Sequence, residues 1–147
     1  FKIEGDPKYL NWFLRLFESF GNPVEVISKE DKVRYHAAAA MASNLYVGLA
    51  NMCEQMLRDC GFSVANAHRA LSPLMIGNTE NIIQYGPVGA LTGPIERNDL
   101  TTVMDHLESL SEQEQKVYKI LSGEVINVAK MKHPERDYSE MERMLNS

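Results

Sequence analysis

At the stretch "DKVRYHAAAAMASN", residues 31–44, the pattern of residue types along the sequence changes. Short segments punctuated by Gly and Pro precede it, and a helical pattern interrupted by a single glycine follows it as far as Cys60. Ser28, with Asp31 three residues later, resembles a capping box, and Gly61 is a typical helix stop. A helix of about 31 residues is about 46 Å long at 1.5 Å per residue, so this pattern predicts a long central helix.

The residues before this stretch predict a strand–helix–strand unit. "FKIEGD" (residues 1–6) alternates apolar and polar side chains, and "PVEVI" (residues 23–27) does the same. Between them Asp6 can cap a helix, and apolar residues recur at helical spacing from Tyr9 to Phe20. This is a βαβ unit of a parallel sheet. Because two strands make no stable parallel sheet alone, we expect either that the rest of the sheet is absent from this chain or that residues 1–28 pack against a partner.

The residues after the long helix predict an all-α domain over 29–147. Capping residues, glycines and prolines divide it, and "SEQE" (residues 111–114) is a second capping box. The predicted fold class is therefore mainly α, with a short βαβ remnant in front. In chain order, the predicted segments are a helix from Ser63 to Ile76, a short helix from Gly77 to Tyr85, a loop over 86–95, a helix from Asn98 or Asp99 to Leu110, a helix to Met131 and a terminal helix from Tyr138 to Leu145.

Composition narrows the function classes. The 147 residues suit one domain, and a net charge of −5 with scattered basic residues disfavours binding to nucleic acid. No apolar run is long enough to span a membrane. Cys53 and Cys60 lie two helical turns apart, about 10 Å, so we expect free thiols, a cytoplasmic location and no disulfide; the alternative is that both are simply buried small residues. His68, His106 and His133 lack metal-ligand spacing, so no metal is predicted.

Four polar side chains share one face of the predicted long helix. At 100° per residue, Lys32, His36 and Ser43 lie along one stripe, with Asn44 beside them. An ammonium, an imidazole, a hydroxyl and an amide can together hold a carbonyl or hydroxyl substrate, and a lysine can donate a proton to a developing alkoxide. The alternative is a solvated lysine and a core histidine.

Three further segments carry weaker signals. The alanine run at residues 37–40 leaves room for a flat ligand or for a closely packed helix. In the loop "ALTGPIERND", Thr92 and Arg97 are candidates to contact a substrate, because a guanidinium binds carboxylate or phosphate. In "GNTEN", Asn81 is a similar candidate. Plain turn and capping roles are the alternatives for all of them.

"FKIEGD", "DKVRYHAAAAMASN" and "PLMIGNTENIIQYGPVGALTGPIERND", taken together, resemble a family of NAD(P)-dependent oxidoreductases. Its members have an N-terminal Rossmann domain and a C-terminal helical domain without an assigned function. That helical domain is similar to the C-terminal domains of 6-phosphogluconate dehydrogenase, hydroxyisobutyrate dehydrogenase and ketopantoate reductase. The resemblance covers roughly residues 1–130.

The resemblance implies roles for this chain. Residues 1–28 correspond to the end of the Rossmann domain, whose cofactor-binding glycine loop lies upstream, so NAD(P) belongs to the intact protein and not to this chain alone. Lys32 matches a proton-donating lysine, but the position four residues later, an asparagine in the relatives, is His36. A small-molecule substrate and a homodimer are also implied. A non-catalytic helical module for dimerisation or small-molecule sensing remains the alternative.

Overall fold

The computed structural model describes residues 2–21 and 23–146 and consists of two compact units, the first ending at Asn51 and the second beginning at Met52. The chain is mainly helical with a small parallel sheet, which confirms the predicted fold class. In chain order the elements are β1 (Lys2–Ile3), α1 (Pro7–Ser19), β2 (Glu25–Val26), α2 (Lys32–Ala40), a π-helical turn (Met41–Leu45), α3 (Tyr46–Asp59), α4 (Val64–Ala90), α5 (Leu100–Ser109), α6 (Glu112–Lys132) and α7 (Ser139–Asn146).

The first unit contains the predicted βαβ arrangement. β1 pairs in parallel with β2, with Ile3 opposite Val26. The side chain of Asp6 accepts a hydrogen bond from the Lys8 amide at 2.8 Å, and Pro7 occupies the first turn of α1, where its missing N–H costs nothing. The predicted strand position Phe1 lies outside the described residues. The predicted domain boundary after residue 28 stays a prediction.

The long helical run begins and ends where the capping signals place it. The Ser28 hydroxyl donates to the Asp31 carboxylate at 2.7 Å, and the Asp31 amide donates back to Ser28 Oγ at 3.0 Å. α2 starts at the next residue, and Gly61, at φ +92°, lies beyond the end of α3. The interruption at Met41–Leu45 is the part that the helical pattern did not predict.

The second unit corrects two predicted boundaries. Ser63 caps α4 as expected, accepting from the Asn66 amide at 3.3 Å, but the helix continues past Ile76 as far as Tyr85. Gly86, at φ +70° and ψ 170°, then breaks the helical geometry, and a further turn runs to Ala90. The predicted loop over 86–95 is therefore wrong for residues 87–90. Only glycine readily takes the Gly86 conformation, and a proline directly after it can start the next turn.

The core of the second unit lies among α5, α6, α7 and the loop of residues 91–99. α6 starts with the predicted capping box, in which the Ser111 amide donates to Glu114 at 2.7 Å. The terminal helix α7 belongs to this core, because Met141 is fully buried and Leu145 nearly so. The buried cluster consists of Ile95, Val103, Ile126, Ala129, Tyr138, Met141 and Leu145.

None of the helices in the described part of the chain combines the length and the apolar character that crossing a bilayer requires.

Candidate functional site

Lys32 is held at one edge of the small parallel sheet. It is the first residue of α2, and its Nζ lies 2.8 Å from the carboxylate of Glu4, which directly follows β1. The carboxyl ends of parallel strands meet at the same edge, and in open parallel sheets ligands bind just beyond that edge. The Glu4 side chain is 26% exposed and that of Lys32 65%, so the ammonium is anchored yet accessible to a ligand.

A shallow crevice adjoins Glu4 between β1 and α1. Charged side chains and aromatic side chains of α1 both line it, so it offers polar and apolar surface next to Glu4, the partner of Lys32. Its lining residues are Lys2, Ile3, Glu4, Gly5, Asp6, Tyr9, Leu10, Phe13 and Phe17.

His36 lies one helical turn after Lys32 and is exposed on α2. Residues four apart share a helix face, so the imidazole lies on the same side of α2 as the lysine. Both side chains are thus reachable by one small molecule on this face.

Ser43 and Asn44 lie in the π-helical turn. Ser43 Oγ is 2.7 Å from the Ala39 carbonyl oxygen and 2.9 Å from Asn44 Oδ1, so two acceptors share one hydroxyl hydrogen. A regular helix would place Asn44 about 120° from Lys32 around the axis, so regular spacing alone does not put Asn44 on the Lys32 face as predicted. A π turn closes over five residues and not four, so each residue advances less, which rotates Asn44 towards the direction of Lys32. Such turns are rare in proteins overall, and those that occur are often found at functional sites.

The other predicted site residues belong to the second unit. Asn81 is exposed on α4, and Thr92 and Arg97 are exposed in the loop of residues 91–99. Arg97 lies 4.0 Å from the carboxylate of Asp99, the N-cap of α5. Hydrogen bonds from Thr102 lower the pKa of Asp99, and the Arg97 charge adds to this effect. The Arg97 side chain is 60% exposed, and its guanidinium keeps donors available for an anion. The assignment of these three residues to a substrate stays a prediction.

The sequence does not predict the polar cluster around Glu96. The Glu96 carbonyl accepts from Arg136 Nη1 at 2.5 Å and from the Tyr138 hydroxyl at 2.6 Å, and the Glu96 carboxylate pairs with His133 Nε2. The hydrogen bond from His133 holds the pKa of the Glu96 carboxyl below its usual value, and the charges of Lys132 and Arg136 act in the same direction. These partners are about 40 residues apart in sequence, so local patterns could not reveal them.

The other two histidines that lack metal-ligand spacing lie next to side chains of neighbouring helices. His68 pairs with Glu54 at 2.7 Å, and His106 Nδ1 lies 3.0 Å from the Tyr118 hydroxyl. Across residues 2–21 and 23–146, no three His, Cys, Asp or Glu side chains are grouped as metal ligands.

The two cysteines are free, as predicted. Partial burial raises the pKa of the Cys53 thiol, which keeps it protonated and makes it a poor nucleophile.

A family described as a domain of unknown function, DUF2520, matches residues 1–125. The chain belongs to this family. No curated protein and no solved structure matches it. The DUF2520 match includes Lys32, His36, the π-helical turn and the loop of residues 91–99, and it ends before the three residues that bind Glu96.

Proposed function

We propose that this DUF2520 chain is the substrate-binding and dimerisation part of an NAD(P)-dependent oxidoreductase that acts on a small carbonyl or hydroxyl compound. The observation that carries the proposal is the Lys32–Glu4 ion pair, which holds an exposed ammonium at the carboxyl edge of a parallel sheet. Nucleotide cofactors bind at this edge in doubly wound folds. The resemblance of the helical part to the C-terminal domains of 6-phosphogluconate dehydrogenase and its relatives supports the same conclusion.

In this proposal the first unit contacts the nicotinamide end of such a cofactor. The chain has no glycine-rich phosphate-binding loop, so the cofactor phosphates would be held by an upstream Rossmann domain. We propose that the nicotinamide ring binds at the crevice beside Glu4, next to a substrate held by Lys32. When bound, the nicotinamide supplies or accepts the hydride.

Lys32 is proposed as the general acid and base. Its ammonium hydrogen-bonds the substrate oxygen and donates a proton as negative charge develops there during reduction, and the amine takes the proton back in the reverse direction. Glu4 limits the positions that the flexible lysine side chain occupies. Both effects act on the transition state and so raise kcat as well as kcat/KM.

His36, Ser43 and Asn44 are proposed to orient the substrate. The imidazole can donate or accept a hydrogen bond one turn from Lys32, and the amide of Asn44 can do both at once. Asn81, Thr92 and Arg97 are proposed as further substrate residues, with the Arg97 fork suited to a carboxylate.

The exposed apolar side chains of α4 favour a second candidate, a helical dimerisation module without catalysis. Leu74, Ile76, Ile82 and Ile83 are all exposed on this helix, and Ile83 is 80% exposed. Ile76 and Ile83 lie seven residues apart and so share one face of α4, and exposed apolar patches commonly mark protein–protein interfaces. A homodimer fits both candidates, so light scattering tests the dimer and cofactor binding separates the two functions.

The test begins with the complete protein that contains this chain. Its upstream sequence should hold a strand followed by G-x-G-x-x-G. The purified protein should quench or enhance NADH or NADPH fluorescence with saturation, and should oxidise one of them with a member of a panel of 2-keto acids. A folded, dimeric protein that binds neither cofactor would refute the enzyme proposal and favour the dimerisation module.

A further inference from the structure

The loop of residues 91–99 is attached to the chain segment that follows α6. We call His133, Arg136 and Tyr138 the clasp. All three bind Glu96, in the middle of the loop, and two of them donate to its backbone carbonyl. The Tyr138 ring is only 1% exposed within the core, so this donor is fixed in position.

Two neighbouring contacts hold the ends of the loop. Lys132 Nζ donates to the Leu91 carbonyl at 2.6 Å, where α4 ends. Asn98 Nδ2 donates to the Asp137 carbonyl at 3.0 Å, just before α5 begins. Residues 132–138 therefore bind the loop at its start, middle and end.

The loop has little apolar anchorage of its own. Ile95 is the one buried residue within residues 91–99, all of which the structure describes, and Leu91 packs against the core only in part. Segments with few buried contacts open locally at lower free energy than the whole domain unfolds. The polar bonds to Glu96 are thus a large share of what keeps this loop closed.

We propose that the clasp holds the loop of residues 91–99 in its closed conformation, and that the loop unfolds locally, breaking its internal hydrogen bonds while the helices stay folded, when the clasp is released. Thr92 and Arg97 are exposed on this loop, so under the proposed function the clasp sets the position of two substrate residues. The inference rests on the proposed function only for the role of these two residues. Because its test needs no cofactor, the two can fail separately.

The test is amide hydrogen exchange on the full chain, with two Tyr→Phe variants. The reporters are the Arg97, Asn98 and Asp99 amides, which are bonded to carbonyls within the loop, and the references are interior amides of α6. Tyr138→Phe removes the hydroxyl that donates to Glu96. Tyr118→Phe removes a hydroxyl that lies 3.0 Å from His106, between α5 and α6, and does not touch the loop.

Tyr138→Phe is expected to speed exchange of the loop reporters about five- to tenfold, the usual effect of one lost hydrogen bond. Tyr118→Phe is expected to speed exchange of the α6 reference amides but to leave exchange of the loop reporters unchanged. In wild type the Tyr118–His106 contact is present whether the loop is closed or open, so its loss does not shift the opening equilibrium. Arg136→Met is a second variant, expected to act like Tyr138→Phe.

Equal acceleration of the loop reporters by Tyr138→Phe and Tyr118→Phe would overturn the inference, because it would mean that the loop opens only when the whole unit unfolds. Unchanged loop exchange in both Tyr138→Phe and Arg136→Met would overturn it as well.

Discussion

Replacing Met141 by alanine tests whether the terminal helix α7 is part of the core. Its side chain is fully buried between α7 and the rest of the buried cluster. The substitution removes Cγ, Sδ and Cε. At about 0.8 kcal/mol for each methylene-sized group, the lost transfer free energy is about 2.4 kcal/mol.

A cavity term adds to this loss, because close-packed neighbours relax only in part. We therefore expect the free energy of unfolding of the second unit to fall by about 3 kcal/mol, within the range of about 2–5 kcal/mol found for Met→Ala in cores. Met131→Ala is the matched control, since that side chain is 62% exposed on α6. It should change the free energy of unfolding by less than about 0.5 kcal/mol.

The assay is exchange of interior α6 amides, which reports on the second unit alone. A loss of about 3 kcal/mol corresponds to exchange faster by about two orders of magnitude. If Met141→Ala costs less than about 1 kcal/mol, or no more than Met131→Ala, α7 contributes little to the core and the described packing is wrong.

Two further predictions concern the same unit. The folded-state pKa of Glu96 is lowered by its hydrogen bond to His133, with Lys132 and Arg136 as the other facing charges. The ionised carboxylate therefore stabilises the fold at pH values above the unfolded pKa of about 4.3, and this stabilisation is lost as pH falls through the folded-state pKa. The melting temperature of wild type should therefore exceed that of Glu96→Gln at neutral pH, and the difference should shrink as the pH falls below about 4.3. A difference independent of pH would contradict this. Gly86→Ala should lower the free energy of unfolding by about 1–3 kcal/mol, because the backbone of Gly86 has φ +70° and ψ 170°. Gly123→Ala, in the interior of α6 where an added methyl meets no neighbour, should raise it by about 0.5–1 kcal/mol. Equal effects of the two substitutions in thermal melts would refute the assigned conformations.

The elements that could be predicted are those whose signals are local. The alternation of the two strands and the Asp6 cap with Pro7 predict the βαβ unit, and Gly61 predicts the end of the long helix. Each of these signals acts within a few residues, so no knowledge of tertiary contacts was needed.

The boundary error in α4 shows the limit of such signals. The sequence predicts a helix break at Gly77. A glycine inside a helix lowers stability by only about 1 kcal/mol, which helical hydrogen bonds and packing offset. The break lies at Gly86, where the backbone uses a conformation that other residues avoid. Sequence alone does not show which of two glycines takes such a conformation.

The candidate site was predicted only in part for a similar reason. Lys32 and His36 share a face by helical spacing, but the π-helical turn follows a run of alanines. Alanine is tolerated on every face of a helix. The run therefore has no hydrophobic periodicity that could reveal the change of helical register at the π turn. Glu4 as the partner of Lys32, and the clasp on Glu96, join residues far apart in sequence and follow only from the tertiary fold.

The measurement that tests the central claim most directly compares Lys32→Ala with Lys29→Ala in the complete protein, using the cofactor and carbonyl substrate found in the panel. Lys29 is an exposed lysine in the turn before α2. We predict that Lys32→Ala lowers kcat about 10²–10⁴-fold, the usual contribution of a general acid, with an unchanged circular dichroism spectrum, while Lys29→Ala keeps wild-type turnover. Wild-type turnover in Lys32→Ala would contradict the account.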